Sequence, residues 1–522
     1  MRRAGTGCPA RFVRSETEVN LELSPLLVTL LVSIAAAAAA APIVIALMWR
    51  FKILDAPDGV RKLHGRTVPL AGGLAVLVGV LVGAVSGGMT FGSELIETAG
   101  DRYFLISLLI ASAWICTLGI LDDKGRLRGR QKFLGQIVAA LILATGGCVV
   151  DRLAVMNIRI ELGMLKVPFT VFWIVGAINA VNLIDGIDGL ATSLGAILGG
   201  AFALMAMITN HDAESIISVA LCGALVGFLP YNFPRARIFL GDTGSMLIGL
   251  LLGTLALRSS VKSQASLALV APVAILSILI FDVGMAILRR KLTGRSLYST
   301  DRGHLHHRLT QLGFSSQGVV LFVSLACALC SAGALAGLVY RNEWLAVTTS
   351  GLVLVGCMSA KIFGHNECRL LFNRVRGFTR SLFRLPSPCG ASGQLTATQI
   401  QGQLEWTPVW DSLKEYAAER DLVRVELHIS APRVHEHYHA DWSRRGIETD
   451  RQWLSVLPLV FQGMVVGQIR LAGECDGNWQ LASSDQLAEV LLGLKPIELQ
   501  IEDLLLSLTE PAVTLPLPGA AA

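Results

Sequence analysis

The stretch that constrains the fold most is Asn179-Ala180-Val181-Asn182-Leu183-Ile184-Asp185-Gly186-Ile187-Asp188-Gly189, because here a long apolar segment ends on two Asp-Gly pairs. The segment, residues 167–184, is long enough to cross a hydrocarbon core about 30 Å thick. In a helical conformation Asp185 and Asp188 would share one face, and the glycine after each would let the backbone approach a ligand closely. Ionisable groups at this depth are costly, so their presence indicates a functional site.

Apolar runs of the same kind continue on both sides of this stretch. The 522 residues are 53% hydrophobic and 16% charged, whereas soluble globular domains average about a quarter charged residues. We therefore predict an all-α polytopic membrane protein with about 11 transmembrane helices and a small soluble α/β C-terminal domain. The predicted spans are residues 24–49, 69–88, 103–121, 133–150, 167–184, 190–209, 215–230, 243–258, 265–288, 317–340 and 344–363.

Composition divides the chain into an N-terminal tail (1–23), a transmembrane domain (24–363), a basic then Pro/Ser/Gly-rich linker (364–400) and an α/β domain of unknown role (401–522). In the last region, period-two patterns and apolar runs predict three strands and one helix. They are Leu422–Ile429, Leu454–Phe461, Met464–Leu471 and the helix Ser484–Leu494. His435, His437 and His439 stand at every second position, a pattern that would put all three on one face of a strand as a metal cluster. The preferred interpretation is a polar loop before Trp442, with the metal cluster as the alternative.

Basic residues predict the orientation in the membrane. Five of them, between Lys124 and Lys132, follow the third span, and more arginines follow the seventh, ninth and last spans. The positive-inside rule places these loops and the C-terminal domain in the cytoplasm. The arginines before the first span oppose this orientation, but later helices can outweigh a tail. The ten cysteines are scattered and indicate no disulfide framework.

Two acidic motifs fall at the same predicted membrane face. Asp122-Asp123 closes the third span, and adjacent carboxylates need a cation or a reacting partner because two like charges side by side raise one pKa. A hydrophilic stop signal is the alternative interpretation. Asp242 opens the eighth span, where it could cap the helix or bind a metal ion.

The ninth connection carries a cationic motif, Asp301-Arg302-Gly303-His304-Leu305-His306-His307-Arg308. Its histidines alone could form a zinc site. No thiolate is near in sequence and cations are abundant, so we prefer recognition of a pyrophosphate by arginine and histidine donors. Carboxylates suited to Mg²⁺ and cations suited to phosphates together predict phosphoryl-group transfer.

At these motifs the sequence resembles the polyprenyl-phosphate N-acetylhexosamine-1-phosphate transferase family (glycosyl transferase family 4), closest to its WecA/TagO branch. The resemblance covers Asp55–Gly73, Asp122–Lys132, Asn179–Gly189, Asn232–Ser245 and His304–Arg308 in the family's order. It implies a transfer of N-acetylhexosamine 1-phosphate, GlcNAc 1-phosphate in the first instance, from a UDP-sugar to undecaprenyl phosphate with release of UMP. This reaction depends on Mg²⁺, or Mn²⁺ in its place, and starts a cell-envelope glycan such as lipopolysaccharide or teichoic acid.

The resemblance also implies roles for single residues. Asp242 is expected to be the principal Mg²⁺ ligand, Asp122 and Asp123 to reach the metal and handle the lipid phosphate, and His304 to be a further catalytic residue. The expected substrate-binding residues are Lys62, Lys132, Asn182, Asp185, Asp188, Asn232, His306, His307 and Arg308. At 69–73 the chain reads Pro-Leu-Ala-Gly-Gly instead of the family's Pro-Arg-x-Gly-Gly, so it lacks the arginine from which the family's anion contact is expected.

The implied partners are a UDP-N-acetylhexosamine, undecaprenyl phosphate and the lipid bilayer, with no nucleic acid beyond the nucleotide moiety. The implied location is the bacterial inner (cytoplasmic) membrane with the active site facing the cytoplasm. A homodimer is one alternative for the oligomeric state. Direct attack by the lipid phosphate is favoured over a covalent aspartyl intermediate. The alternatives are a phospho-N-acetylmuramoyl-pentapeptide transferase, a multispan transporter and a silent scaffold. The absence of a visible repeat and the charges at span ends favour the enzyme over the transporter.

Overall fold

The structure is a computed structural model of the chain. It describes residues 23–55, 67–91, 99–155, 158–261, 269–292, 303–360, 362, 364, 368, 394–401, 404–431, 436–443, 452–461, 463–474, 490 and 492–507. Nearly all of the predicted N-terminal tail, most of the predicted linker and most of the helix predicted at Ser484–Leu494 lie outside these residues. The chain divides into two compact units, residues 1–283 with 309–356 and residues 284–308 with 357–522.

Helices dominate the chain up to residue 359. They are α1 (Leu23–Phe51), α2 (Gly73–Phe91), α3 (Ala99–Asp123), α4 (Gly129–Thr145), α5 (Lys166–Ile184), α6 (Leu190–Ile208), α7 (Asp212–Asn232), α8 (Gly241–Val261), α9 (Val270–Ile275), α10 (Ser277–Leu292), α11 (Leu305–Gln311), α12 (Ser316–Val339) and α13 (Glu343–Ser359). Two short antiparallel pairs accompany them, β1 (Leu54–Asp55) with β2 (Val68–Pro69) and β3 (Arg152–Val155) with β4 (Ile158–Glu161).

Seven of the described helices are long and apolar enough to cross a membrane, namely α1, α2, α3, α5, α6, α7 and α12. The predicted number of eleven spans is not confirmed. A helix lies at each of the other predicted positions, but α4 and α13 have only 17 residues each. The charged Asp242 and Arg258 near the ends of α8 lower its mean hydropathy, and the predicted span 265–288 is divided into α9 and α10 at Leu276.

Small residues let the helices around α7 approach closely. Helix α7 packs against α1, α2 and α6, and 78% of its most apolar stretch of 18 residues is buried. A methyl group on Gly227 of α7 would collide with the backbone of α1 at Ile34, and one on Gly83 of α2 would collide with Ser33. Close backbone approach through small residues is how membrane helices gain packing energy. The alanine run of α1 is therefore a packing surface, in which Ala37 and Ala41 are fully buried.

Helix α8 brings the acidic motifs together. It packs along α3 and α5, so its N-terminus lies where both of these helices end. Asp242 at this end therefore meets Asp122, Asp123 and Asn182 in one region of the first unit. The opposite end of α8 carries Arg258, which is buried. Sixteen residues of helix, about 24 Å at 1.5 Å per residue, separate the two ends.

The C-terminal region forms a five-stranded antiparallel sheet with the strand order β5-β7-β6-β9-β8. Its elements are β5 (Gln394–Gln401), α14 (Thr407–Glu419), β6 (Arg424–Ala431), β7 (Glu436–Ser443), β8 (Gln452–Phe461), β9 (Met464–Glu474) and α15 (Lys495–Leu506). Side chains such as Trp406, Trp410, Leu427, Ile469 and Leu505 form its core. The three predicted strands correspond to β6, β8 and β9, which confirms a small sheet region near the C-terminus.

The alternating histidines lie in this sheet, except for His435, which is outside the described residues. The interpretation of the motif as a loop is wrong for residues 437–439, because they belong to β7. His439 pairs with His428 on β6, and their ring centroids are 5.8 Å apart. Within the described ranges, no group of three or more His, Cys, Asp or Glu side chains is arranged to hold a metal ion.

Candidate active site

Asp123 caps the helix that carries Asp242. One Asp123 carboxylate oxygen accepts a hydrogen bond from the Asp242 amide at 2.8 Å, and the other accepts bonds from the Thr243 amide at 3.3 Å and hydroxyl at 2.7 Å. A carboxylate here also interacts favourably with the helix dipole. Gly241 has a φ of 71°, and a Cβ atom on it would lie 2.7 Å from Asp123. The structure thus shows Asp123 positioning the start of α8.

Lys132 lies between the carboxylates of Asp122 and Asp242. Its ammonium nitrogen is 2.7 Å from an oxygen of Asp122 and 3.0 Å from an oxygen of Asp242, and it donates to the Asn182 side-chain oxygen at 3.2 Å. An ammonium has three N–H donors, so these contacts use all of them. The Asp122 and Asp242 carboxyl groups are also within hydrogen-bonding distance of each other. The four residues form one charged cluster, which we call the carboxylate–lysine cluster.

A second polar layer lies next to this cluster. Asn182 donates through its amide nitrogen to Asp242 and, at 2.9 Å, to the Ser245 hydroxyl. One turn after Lys132, Gln136 of α4 is buried and exchanges hydrogen bonds with Asn179 of α5, at 2.7 Å in one direction and 3.5 Å in the other. This reciprocal amide pair fixes α4 against α5 directly behind the carboxylate–lysine cluster.

The stretch after α5 leaves the helical conformation. Helix α5 ends at Ile184, and Asp185 follows with a ψ of 58°, so Asp185 and Asp188 do not share a helix face. Burial raises the pKa of the Asp185 carboxyl well above its ordinary value, and the carboxylates of Asp242, Asp123 and Asp188 raise it further. A cation or a hydrogen-bond donor that approached this carboxyl would stabilise its charged form.

Asp188 and Asn232 join the segment after α5 to the segment between α7 and α8. Asp188 accepts a hydrogen bond from the Ala236 amide at 3.2 Å. The buried Asn232 accepts from the Gly189 amide at 3.1 Å and the Thr192 hydroxyl at 2.8 Å, and donates to the Ile238 carbonyl at 3.0 Å. Both side chains therefore position backbone, and their contact with a nucleotide sugar stays a prediction.

Residues 69–73, at the end of the Asp55–Gly73 motif, contact the segment before Asp242 through backbone hydrogen bonds. The Phe239 amide donates to the Pro69 carbonyl at 2.9 Å, and the Gly72 and Gly73 amides donate to the carbonyls of Phe239 and Leu240 at 3.0 and 3.1 Å. Residues 69–73 are thus joined to the segment just before Asp242. Lys62 lies outside the described residues.

The histidine motif belongs to the second unit, unlike the carboxylate–lysine cluster. His304 and His306 are buried, their ring centroids are 6.1 Å apart, and the His306 and His307 centroids are 4.2 Å apart. Arg308 lies in the last turn of the short helix α11, and its amide donates to the His304 carbonyl at 3.0 Å. The predicted roles of these four residues at the diphosphate stay predictions.

The carboxylate–lysine cluster suits a magnesium ion bound together with a substrate. Protein carboxylates do not supply three ligands there, in keeping with the absence of any three-residue metal group among the described residues. Mg²⁺, however, is usually held by one or two carboxylates, with substrate phosphates and waters completing an octahedron. Asp122 and Asp242 offer two adjacent oxygen donors of that kind. Asp123 differs, because both of its oxygens bind the start of α8.

Three residues that lie at the cluster were not predicted from the sequence: Gln136, Thr243 and Ser245. The spacing of four between Lys132 and Gln136 puts both on one helix face and could have indicated the first. A glutamine inside the largely apolar predicted span 133–150 is a further signal, since an unpaired amide in a membrane is costly. Thr243 and Ser245 gave no such signal, because short hydroxyl residues at a helix start are common.

Comparison with known proteins gives consistent matches. Residues 105–260 match the profile of Glycosyl transferase family 4. A Bacillus subtilis protein named "Probable undecaprenyl-phosphate N-acetylglucosaminyl 1-phosphate transferase" is 35% identical over 302 residues, which cover 58% of this chain and 81% of the relative. A Mycobacterium tuberculosis decaprenyl-phosphate N-acetylglucosaminephosphotransferase is 34% identical over 330 residues, 58% of this chain and 80% of the relative. A phospho-N-acetylmuramoyl-pentapeptide-transferase of Halalkalibacterium halodurans is 30% identical over 314 residues, 57% of this chain and 92% of the relative.

Proposed function

The chain belongs to glycosyl transferase family 4, and from this membership and the carboxylate–lysine cluster we propose that it transfers N-acetylglucosamine 1-phosphate from UDP-GlcNAc to undecaprenyl phosphate. The observation that carries the proposal is the meeting of Asp122, Lys132 and Asp242 where the apolar helix α3 ends and α8 begins. A reaction between a lipid phosphate and a water-soluble nucleotide sugar requires charged groups at such a position, where both substrates can reach them. The identity of the sugar is supported by the names of the two more similar relatives.

We propose Mg²⁺ as the cofactor, held by Asp242 and Asp122. When bound, the ion would neutralise charge on the diphosphate of the nucleotide sugar. Asp123 contributes by fixing the start of α8, and Asn182 orients the Asp242 carboxylate by donating to it. Mn²⁺ prefers the same oxygen ligands and is expected to replace Mg²⁺.

The transfer needs little help from a base. The second pKa of a phosphate monoester is about 6, so undecaprenyl phosphate is largely dianionic at neutral pH. A lipid phosphate oxygen attacks the phosphorus that carries the sugar, a new P–O bond forms, and the bond to UMP breaks with its electron pair leaving on UMP. Asp122 accepts any proton that the lipid phosphate still carries. Lys132 would bind the diphosphate. The family resemblance implies phosphate or sugar contacts for Lys62, His304, His306, His307 and Arg308 as well.

The enzyme is expected to work in the bacterial inner membrane, with this site facing the cytoplasm. Lys124, Arg126, Arg128 and Arg130 follow the Asp122-Asp123 pair directly and support this orientation by the positive-inside rule. UDP-sugars are then supplied from the cytoplasm, and the lipid-linked product starts a cell-envelope glycan.

The decisive experiment measures transfer of radiolabelled N-acetylglucosamine 1-phosphate from UDP-GlcNAc to undecaprenyl phosphate by the full chain in detergent. We expect lipid-linked product with Mg²⁺, none with EDTA, and a loss of at least about a thousandfold in Asp242→Ala, because a metal ligand is removed. Asp212→Ala is the matched control, since Asp212 is exposed at the start of α7. Product only from UDP-N-acetylmuramoyl-pentapeptide would instead place the chain with its third relative, and no product from either would refute the proposal.

A further inference from the structure

The Lys132 ammonium bridges the two carboxylates that would hold a divalent cation. Its 2.7 and 3.0 Å contacts are to one oxygen each of Asp122 and Asp242, the two carboxylates with oxygen donors to offer a metal. Asp123 has both oxygens engaged by α8. The lysine and a metal ion would therefore bind the same pair of carboxylates.

Electrostatics makes simultaneous occupation unfavourable. An ammonium and a divalent cation a few Å apart repel each other strongly even at an effective dielectric constant of about 20. The side chains of Lys132, Asp122 and Asp242 are 18%, 15% and 31% exposed, so solvent screens this repulsion only in part. One cation has to move before the other can bind.

From this geometry we propose that Lys132 is a resident cation that competes with the divalent metal for Asp122 and Asp242, and that metal binding releases its ammonium toward the diphosphate of the substrate. The inference rests on the proposed function for the identity of that diphosphate. Metal binding and nucleotide-sugar binding would then favour each other. The metal displaces the ammonium from the carboxylates, and the diphosphate provides a new partner for the displaced ammonium. Lys132 is thus both the charge balance of the free site and a phosphate contact of the loaded one.

The helix that carries Lys132 is anchored, and the Lys132 ammonium is held in the cluster by side-chain contacts alone. The Gln131 side chain accepts a hydrogen bond from the Arg128 amide at 2.9 Å and caps α4, and Gln136 joins α4 to Asn179 of α5. The lysine side chain itself is a flexible four-carbon stem with rotatable donors. Its ammonium can therefore leave the carboxylates without a shift of the backbone.

The test is the binding of Mn²⁺ alone to the full chain in detergent, followed by the EPR signal of free Mn²⁺, with no nucleotide or lipid present. Removal of the competing charge in Lys132→Met should tighten Mn²⁺ binding on the order of ten- to a hundredfold. Lys166→Met is the matched control, because Lys166 also lies beside a carboxylate, 3.4 Å from Asp151, but outside this cluster. Its Mn²⁺ affinity should equal that of the wild type.

Addition of UDP-GlcNAc supplies a second readout. It should tighten Mn²⁺ binding more in the wild type than in Lys132→Met, where no ammonium remains to be displaced. Equal or weaker Mn²⁺ binding by both Lys132→Met and Lys132→Gln, with each variant eluting as a single peak in size exclusion, would overturn the proposal. Because Mn²⁺ binding without substrate does not depend on turnover, this failure is distinguishable from a failure of the transfer assay.

Discussion

Asp122 and Asp123 are neighbours in the sequence, yet the structure gives them different surroundings. Asp123 accepts three hydrogen bonds from the first residues of α8, whereas Asp122 pairs with Lys132. We expect Asp123→Ala to lower the free energy of unfolding by about 1 to 2 kcal/mol, the typical value of a helix cap. Asp122→Ala should cost less, because Lys132 keeps Asp242 as a partner.

In metal binding the order of the two variants should be reversed, with Asp122→Ala losing more affinity than Asp123→Ala. Asp122→Ala removes one of the two proposed ligands and should abolish measurable Mn²⁺ binding, while Asp123→Ala should weaken it only through the displaced α8 start. Thermal melting followed by fluorescence-detected size exclusion and Mn²⁺ titration measure the two effects. Equal losses of melting temperature and metal affinity in both variants would contradict this division.

At this scale the sequence predicted four residues that meet, but not what each of them does. Asp242, Asp122, Lys132 and Asn182 were predicted from motif order, and they contact one another. Asn232 was predicted to bind substrate, and in the structure all of its described hydrogen bonds go to the protein. A motif shows that a residue type is required, whereas its hydrogen-bond partners depend on the backbone that surrounds it.

Helix positions were predictable at the scale of the element, because a long apolar run can satisfy its backbone in a membrane only as a helix. The span predicted at 167–184 is α5, Lys166–Ile184. The pattern could not show that 265–288 divides at Leu276, because the run is apolar on both sides of the break. It also overlooked the pairing of α4 with α5, since a single glutamine changes hydropathy little.

That pairing leads to a prediction for Gln136 and Asn179. Gln136→Met keeps the volume of the side chain but removes its hydrogen bonds to Asn179, which should let α4 shift against α5 and misplace Lys132. We expect kcat to fall about tenfold, since small misplacements of a positioned group are costly. Leu134→Met, at an exposed position of the same helix, is the control and should retain activity.

A double-mutant cycle with Asn179→Leu separates this pair from a general packing defect. The coupling energy should be about 0.6 to 2 kcal/mol in unfolding free energy, the range found for hydrogen bonds between membrane helices. Strictly additive effects of Gln136→Met and Asn179→Leu would show that the two amides act independently and would refute the positioning role.

At the scale of the whole membrane unit, α3 and α8 are joined at both of their ends. The carboxylate–lysine cluster and the Asp123 cap join them at one end. At the other end the Arg258 guanidinium donates to Glu214 of α7 at 2.7 Å and to Asp101 of α3 at 3.0 Å, and it lies 4.2 Å from the centroid of the Phe104 ring. Charged residues buried among membrane helices need such partners. The separation of these residues along the chain is why the sequence alone did not reveal the group.

Removal of Arg258 should therefore destabilise the unit far from the active site. Arg258→Met leaves the buried Glu214 carboxylate without its partner and should cost about 3 to 5 kcal/mol, as for other broken buried ion pairs. The charge-free combination Asp101→Asn, Glu214→Gln, Arg258→Met should recover most of this loss, because no unpaired charge remains. Arg152→Met, which breaks an exposed pair with Glu161, should change stability by less than about 1 kcal/mol. Thermal melting of the four proteins in one detergent tests the order, and a charge-free combination less stable than Arg258→Met alone would show that the group stabilises α3, α7 and α8 by more than charge balance.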